Sequence, residues 1–250
     1  MTLDDVYTQL THGELRQLFL GSGDIDGNDD AMPEINYKKV FPSVQLGLTE
    51  LYKRFFLREG HLDVLLDDSR VTYPLVQKHA ESNTRSTEPK FILDSDAPFT
   101  NDLFKIERVY GIYKGQEYEV PLNEIGNPAA VRTISYNTLT VPTDVRHAPW
   151  RKETQVLHIV YRANHPEISP YRANASPLSV EIELPPMYLE ALCFYIASRM
   201  HNPLGMAPDT MHEGNNYFQR FMAAVQELKD QNYEIDDDAV NDKLYARGFV

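Results

Sequence analysis

The sequence predicts an α+β protein: a helical bundle formed by the N- and C-terminal segments, with a strand-rich insert and an extended C-terminal arm. Three observations lead to this prediction. Apolar residues recur at helical spacing in residues 1–59 and again in residues 185–230. Short segments of strand-like composition, interrupted by prolines, fill residues 60–184. Residues 231–250 continue past the last helical pattern as an acidic arm with apolar residues near its end.

The first helix is predicted at the N-terminus. Thr2 and Asp5 lie three positions apart, as do Thr11 and Glu14, and this is the spacing of a capping box. The apolar residues that keep helical spacing here are Leu3, Val6, Tyr7, Leu10, Leu15, Leu18 and Phe19. Residues 21–34 then break all periodicity, which is typical of a flexible acidic loop.

Three longer helices are predicted on either side of the insert. The first begins near Asn36 and has an apolar face formed by Val40, Val44, Leu48, Leu51 and Phe55. The second begins at Pro186 and ends before Pro203, and its apolar face consists of Leu189, Leu192, Cys193, Ile196 and Met200. The third presents Phe218, Phe221, Met222, Val225 and Leu228. Because neither terminal segment is long enough to form a core alone, we expect both to pack together.

The insert is predicted to contain short strands with irregular connections, since many of the 16 prolines fall within it. A hairpin turn is predicted at Lys114-Gly115. The predicted strands lie at residues 62–66, 71–73, 103–113, 117–121, 131–141, 155–161 and 180–184. Residues 78–90 are polar without periodicity, and we therefore expect a loop there.

Composition argues against several functional classes. The formal net charge of −13 argues against a protein that binds the phosphates of nucleic acid, because such proteins carry clustered lysine and arginine. The single cysteine excludes an internal disulfide and a cysteine-built metal site, and its place among apolar helix residues indicates a core role. The sequence contains no apolar run of about 18 residues, so it predicts no membrane span. Its acidic start is unlike that of a signal peptide. These features fit a reducing compartment.

Metal sites and catalytic motifs are not indicated. In the acidic loop, Gly27 can occupy the glycine position of an EF-hand, but Pro33 then replaces the bidentate glutamate. His158 and His165 are expected on opposite faces of a strand. Four possible metal ligands lie around the helix–helix turn, but their spacing is not that of a metal site. They are His201, Asp209, His212 and Glu213. Because no nucleophile elbow, P-loop or dinucleotide fingerprint occurs, we expect no enzymatic activity, no cofactor and no metal.

Aromatic residues alternate with polar ones along the predicted strands of the insert. They are Phe104, Tyr110, Tyr113, Tyr118 and Tyr136. Such residues fill the core of a small β module or line a sugar- or protein-binding face, and the core is the favoured interpretation.

Three groups of segments, together with the order of the elements, carry a resemblance to a known family. The segments are LTHGEL (10–15) with LGLTELYKRF (46–55), SYNTLTVP (135–142) with IVYRANHP (159–166), and ELPPMYLEAL (183–192) through ASR (197–199) with NDKLYARGFV (241–250). The order is helices, strand-rich insert, helical hairpin and C-terminal arm. With these features the chain resembles the head-to-tail adaptor proteins of tailed bacteriophages, also described as head-completion or tail tubular proteins.

The resemblance implies a structural virion protein without cofactor. It implies a ring, a dodecamer when assembled, that lies between portal and tail and extends the DNA channel. The implied partners are the portal protein, tail, nozzle or tail-fibre proteins and further copies of this chain; packaged DNA passes without specific binding, and no membrane is contacted. The implied location is the virion neck or tail, and the host cytoplasm during assembly. The alternative is a non-enzymatic soluble binding module that holds carbohydrate or protein on an aromatic β face.

The arm is the predicted portal-binding site. The acidic residues 236–238 are expected to keep it solvated and extended in the free protein. The predicted docking residues are Tyr245, Arg247, Phe249 and Val250. Phe249 is the expected apolar anchor, and Arg247 is expected to meet an acidic group of the portal. The other possibility is that the arm folds back onto its own subunit.

Overall fold

A computed structural model describes residues 1–15, 34–168, 180–201 and 208–231 of the chain. The chain divides into two compact units. The first unit comprises Met1–Leu57 and Glu167–Val250, and the second comprises Arg58–Pro166. In sequence, the second unit is therefore an insertion into the first.

The described helices are α1 (Leu3–His12), α2 (Glu34–Arg54), α3 (Trp150–Glu153), α4 (Leu189–His201) and α5 (Pro208–Asp230). All but α3 belong to the first unit. Thr2 caps α1, because its hydroxyl oxygen accepts a hydrogen bond from the backbone N–H of Asp5 at 3.2 Å. The Asp5 carboxylate accepts one in return from the backbone N–H of Thr2 at 2.7 Å. The predicted capping box at this position is therefore confirmed.

Helix α4 packs against α1, α2 and α5. Leu192, Cys193 and Ile196 of its predicted apolar face are fully buried, and burial raises the pKa of the Cys193 thiol, so this cysteine is an inert core residue. Burial extends further around the helix than predicted and includes Ala191, Tyr195, Ala197, Ser198 and His201. Gly47 of α2 permits close approach, since a Cβ there would lie 2.7 Å from Cδ1 of Leu192.

Helix α5 buries only part of its predicted apolar face. Phe221, Val225 and Leu228 are buried, and the Phe221 ring packs edge-on against Tyr195 of α4 with centroids 5.2 Å apart. Phe218 and Met222 are instead 45% and 40% exposed. These two side chains are one helical turn apart, so they form an apolar flank that the described residues leave uncovered.

The prediction of a helical bundle formed by the two terminal segments is wrong. The described chain is α+β with five helices and two antiparallel sheets, and its terminal segments form no clear bundle. Part of the contact between the two terminal segments is made by an extended segment and not by a helix. The Leu3 N–H donates to the Val180 carbonyl at 2.9 Å, and the Ile182 N–H donates to the Met1 carbonyl at 2.8 Å. Helical periodicity identifies a face to be buried but does not say whether a helix or an extended segment covers it.

The second unit is built from two antiparallel sheets. The strands of the larger sheet are β1 (Glu59–Leu65), β3 (Ile92–Leu93), β4 (Leu103–Tyr113), β5 (Gln116–Glu119) and β8 (Val156–Ala163), in the order β3-β1-β8-β4-β5. Those of the smaller sheet are β2 (Thr72–Pro74), β6 (Arg132–Ser135) and β7 (Thr138–Thr140), in the order β2-β7-β6. The buried side chains of both sheets form one hydrophobic core, which also contains Trp150 of α3.

Two predicted features of these strands have different outcomes. The hairpin turn at Lys114-Gly115 is confirmed, and both residues have the left-handed φ values, 54° and 71°, that a two-residue type I′ turn requires. Residues 131–141, predicted as one strand, instead form the β6–β7 hairpin with Tyr136-Asn137 at its turn. The β-rich composition hides this reversal, and Asn137 is the one residue of the turn whose type is common in turns.

The second unit begins and ends on paired strands. Strands β1 and β8 run antiparallel with Glu59 opposite Arg162. The Ala163 N–H donates to the Arg58 carbonyl at 3.0 Å, and the Arg58 guanidinium forms an ion pair with Asp102 at 3.0 Å. The points where the chain enters and leaves this unit are therefore held side by side.

Asp94 is a carboxylate inside the second unit, and its side chain ties two loop segments together. Only 4% of this residue is exposed. It accepts hydrogen bonds from the backbone N–H groups of Ser82 and Phe99, each at 2.8 Å, and from the Ser82 hydroxyl. Burial alone raises the pKa of the Asp94 carboxyl, but these hydrogen bonds outweigh it and hold that pKa below its usual range.

We expect Asp94→Asn to lower the free energy of unfolding by about 2 kcal/mol at neutral pH, because an amide cannot accept from all three donors. A carboxyl whose pKa is lowered on folding adds stability above its unfolded pKa of about 4, and this stability is lost as the pH falls through the folded value. The difference between variant and wild type should therefore shrink in strong acid. Urea unfolding of variant and wild type at neutral pH and in strong acid measures this difference. Asp96→Asn, at an exposed position, is the matched control. Equal differences at both pH values would contradict this account.

Candidate functional site

The larger sheet buries one face and presents polar side chains on the other. In β1, Leu62 and Val64 point into the core, so that Glu59, His61 and Asp63 alternate onto the opposite face. We call this opposite face the outer sheet face. Its residues are Glu59, His61, Asp63, Lys105, Glu107, Arg108, Tyr110, Glu119, His158, Val160 and Arg162.

Two histidines from different strands meet on the outer sheet face. The register of β1 and β8 places Asp63 opposite His158, and His61 lies two residues from Asp63 on the same face. His61 Nδ1 is 3.2 Å from His158 Nε2, and the two rings stack with centroids 5.2 Å apart. Each remaining ring nitrogen meets a carboxylate: His158 Nδ1 is 2.7 Å from Asp63 Oδ1, and His61 Nε2 is 3.1 Å from Glu59 Oε1. We call His61 and His158 the histidine pair.

Further charged groups surround the histidine pair. Arg108 donates to the Tyr110 hydroxyl at 3.3 Å, and the Tyr110 ring lies 6.5 Å from that of His158. The hydrogen bond to Tyr110, together with the Glu119 and Glu59 carboxylates, raises the pKa of the Arg108 guanidinium. Further along the face, the Glu107 carboxylate bridges two basic side chains, those of Lys105 and Arg162. Carboxylates therefore outnumber guanidinium groups next to the histidine pair.

The sequence does not reveal this pair, because its members are far apart in the chain. The histidine that follows His158 in sequence is His165, which lies after β8, is buried and has its Nδ1 2.6 Å from the Pro166 carbonyl. The actual neighbour of His158 is His61, 97 positions earlier. Only the pairing of β1 with β8 brings the two rings together, and no local signal encodes that register.

Other groups considered for metal binding are partly described. Of the acidic loop predicted at residues 21–34, residues 21–33 lie outside the described residues and Glu34 begins α2. The side chains of Asp209, His212 and Glu213 also lie outside the described residues. His201 is buried; its ring stacks on Tyr217 at 5.1 Å, and its Nε2 is 3.3 Å from the Glu14 carbonyl. Across the described ranges, no group of three or more histidine, cysteine, aspartate or glutamate residues is arranged to hold a metal ion.

The five aromatic residues of the insert are not gathered on one face. Tyr110 lies on the outer sheet face, whereas Tyr113 and Tyr118 pack edge-on at 5.6 Å and lie against the hydrophobic core. Tyr136 occupies the turn of the β6–β7 hairpin and is 67% exposed. Phe104 of β4 is half-buried. The favoured core role thus applies to Tyr113 and Tyr118 and not to Tyr136.

Tyr136 borders a groove of about 580 Å³ in the second unit. Two leucines, Leu75 and Leu103, contribute buried apolar surface to it. Its polar lining includes the amide side chains of Gln77, Asn83, Asn101 and Asn137. Asn101 adopts a left-handed φ of 61°, and its side-chain oxygen accepts from the Gln77 N–H at 2.6 Å. The groove therefore combines oriented amides with one exposed aromatic ring.

The three most exposed large apolar side chains of the second unit lie close together in sequence. Ile125 is fully exposed, at 103%, and Ile134 and Tyr136 are 68% and 67% exposed. The loop that carries Ile125 is fixed beside β6, because Asn123 accepts from the Thr133 N–H at 2.8 Å and donates to the Thr133 hydroxyl at 2.8 Å. We call Ile125, Ile134 and Tyr136 the exposed apolar trio.

The predicted portal-binding residues of the arm, Tyr245, Arg247, Phe249 and Val250, lie outside the described residues. Among the helices that the structure describes, none is long and apolar enough to cross a membrane. In comparisons with known proteins, no family model matches this chain, and neither does any curated protein.

Proposed function

We propose that this protein is a structural virion protein, a head-to-tail adaptor that forms a ring between portal and tail and extends the DNA channel. The observation that carries the proposal is the exposed apolar trio, in which Ile125 is 103% and Ile134 is 68% exposed. A contiguous exposed apolar patch marks a contact with another protein, and we propose that the exposed apolar trio forms such a patch. In an adaptor, a tail, nozzle or tail-fibre protein covers them.

The first unit supplies further apolar surface. Phe218 and Met222 of α5 are 45% and 40% exposed. In a ring, every copy contacts two neighbours, so each copy needs contact surface in addition to that which meets the tail. The exposed flank of α5 supports a contact between copies.

Charge and sequence resemblance support the same function. A formal net charge of −13 suits a channel through which DNA passes without being held. In this proposal twelve copies lie beneath the portal, and the residues that dock on it are Tyr245, Arg247, Phe249 and Val250 of the arm. The protein acts in the neck or tail of the virion and is present in the host cytoplasm during assembly.

We expect the purified protein to be a monomer that forms a ring only on the portal protein of its own phage. Subunits of the same high charge resist self-association without a template. Sedimentation velocity of the protein with and without purified portal, followed by electron microscopy of the complex, measures this. A stable large ring without portal would contradict templated assembly, and failure to bind portal would contradict the adaptor function.

The amide-lined groove favours a second candidate, a non-enzymatic soluble binding module for carbohydrate. An exposed ring can stack on the apolar face of a sugar, and amides can pair with its hydroxyl groups. Binding to a glycan array that Tyr136→Ala abolishes and Tyr136→Phe retains would favour this candidate. The portal experiment separates the two, since a carbohydrate-binding module should not form a ring on portal.

A further inference from the structure

We infer that the histidine pair on the outer sheet face binds a late divalent transition-metal ion, such as Cu²⁺, Ni²⁺ or Zn²⁺. His61 and His158 supply two imidazole ligands, and water completes the coordination. The inference rests on the geometry of the pair and is independent of the adaptor function.

The orientation of the two rings suits a shared metal ion. A metal-bound histidine usually coordinates through one ring nitrogen while the other donates its proton to a carboxylate, which fixes the tautomer. Here His158 Nδ1 is 2.7 Å from Asp63 Oδ1, and His61 Nε2 is 3.1 Å from Glu59 Oε1. Both outer nitrogens are thus held by carboxylates, and the inner nitrogens are the ones that face each other.

The distance between the inner nitrogens also fits a single ion. Two nitrogens bound to one ion at about 2.0 Å lie about 2.8 Å apart at neighbouring corners of a square plane and about 3.3 Å apart in a tetrahedron. His61 Nδ1 and His158 Nε2 are 3.2 Å apart, between these two values. The separation therefore matches one shared ion, at which each lone pair points about 35–45° away from the line between the two nitrogens.

Hydrogen bonds to the two carboxylates use the ring protons of the histidine pair. If His61 donates to Glu59 and His158 donates to Asp63, two neutral imidazoles have no proton left for the contact between them. Two lone pairs would then oppose each other at 3.2 Å. With this arrangement of donors a metal ion makes the contact favourable, whereas without one His61 can direct its proton at His158 Nε2 only by giving up the hydrogen bond to Glu59. A metal ion between the inner nitrogens is compatible with both carboxylate hydrogen bonds.

Charge and solvent access suit a hydrated dication. The side chains of His61 and His158 are 54% and 40% exposed, so water can reach the remaining coordination positions. The neighbouring charges are the carboxylates of Glu59, Asp63 and Glu119 and the guanidinium groups of Arg108 and of Arg162, which lies opposite Glu59. Imidazole ligands select copper, nickel and zinc over magnesium and calcium, which prefer oxygen.

Titration of the untagged full-length protein with CuCl₂, NiCl₂, ZnCl₂ and MgCl₂ tests this inference. Calorimetry should show one strong site per chain, tightest for Cu²⁺ and absent for Mg²⁺. Electron paramagnetic resonance of the Cu²⁺ protein should show two equatorial nitrogens. His61→Gln and His158→Gln should each weaken binding at least 10-fold. Glu59→Gln or Asp63→Asn should weaken it about 10-fold, the lower end of the effect expected for a carboxylate that orients a metal-bound histidine.

His147→Gln is the matched control, because His147 is exposed and also contacts a carboxylate, that of Asp144 at 3.0 Å, without a second histidine. It should leave the affinity for Cu²⁺ unchanged. Circular dichroism confirms that each variant is folded, and the nitrogen count of the wild-type protein provides a test that needs no variant. A site with other than two nitrogens, or Cu²⁺ binding that survives His61→Gln, would overturn the inference.

Discussion

Deletion of residues 241–250 should abolish attachment of the protein to portals while its thermal stability stays nearly unchanged. The deletion removes Phe249, the proposed apolar anchor, together with Tyr245, Arg247 and Val250. A central aromatic anchor at an interface typically contributes about 2 kcal/mol or more, and the loss of all four residues removes the whole contact. The described packing of α4 against α1, α2 and α5 is untouched by the deletion.

Co-sedimentation with portal and differential scanning calorimetry measure the two halves of this prediction. Phe249→Ala alone should weaken attachment about 30-fold, the equivalent of about 2 kcal/mol. Lys243→Ala, which lies in the same segment but outside the proposed anchor, should have little effect. If attachment survives the deletion, the arm is not the anchor. If the melting temperature falls by several degrees, the arm packs onto its own subunit.

Trp150→Ala should destabilise the second unit by about 3–5 kcal/mol, the usual cost of truncating a buried tryptophan. Trp150 is 1% exposed within the hydrophobic core that both sheets share. Its indole N–H donates to the Ala129 carbonyl at 3.0 Å, so the substitution also leaves that carbonyl without its partner. Urea unfolding followed by circular dichroism measures the change, because removal of the only tryptophan also removes the indole fluorescence.

The control for this prediction is Trp150→Phe. Phenylalanine keeps most of the apolar volume but loses the hydrogen bond to Ala129, and we expect a cost of about 1–2 kcal/mol. The ordering of the two variants is the decisive result. Equal costs for alanine and phenylalanine would mean that the hydrogen bond, and not the filling of the core, dominates at this position.

Features that depend on neighbouring residues could be predicted from the sequence. The capping box needs only Thr2 and Asp5, three positions apart, and the β4–β5 turn needs only two residues that tolerate positive φ. Strand β4 was likewise predicted at residues 103–113, the range it occupies, because its β-rich composition is continuous. In each case the information lies within one element.

Features that depend on distant pairing could not be predicted. The helical bundle is wrong because part of the partner surface of α1 is the extended segment around Glu181, which forms a bridge with Thr2. The histidine pair requires the register of β1 with β8, and a shift of one residue would turn His61 to the buried face. Periodicity defines the faces of each element but contains no information about which element lies opposite.

The side-by-side ends of the second unit bear on how such a protein evolves. Arg58 and Ala163 are hydrogen-bonded, and Glu59 pairs with Arg162. The second unit is therefore inserted into the first unit through two adjacent chain ends. Recombination at a single site can add, remove or exchange an inserted unit of this kind without changing the chain path of the first unit. If the protein is the proposed adaptor, exchange of this unit would replace the whole surface around Ile125, and with it the contact with the tail, in one genetic event.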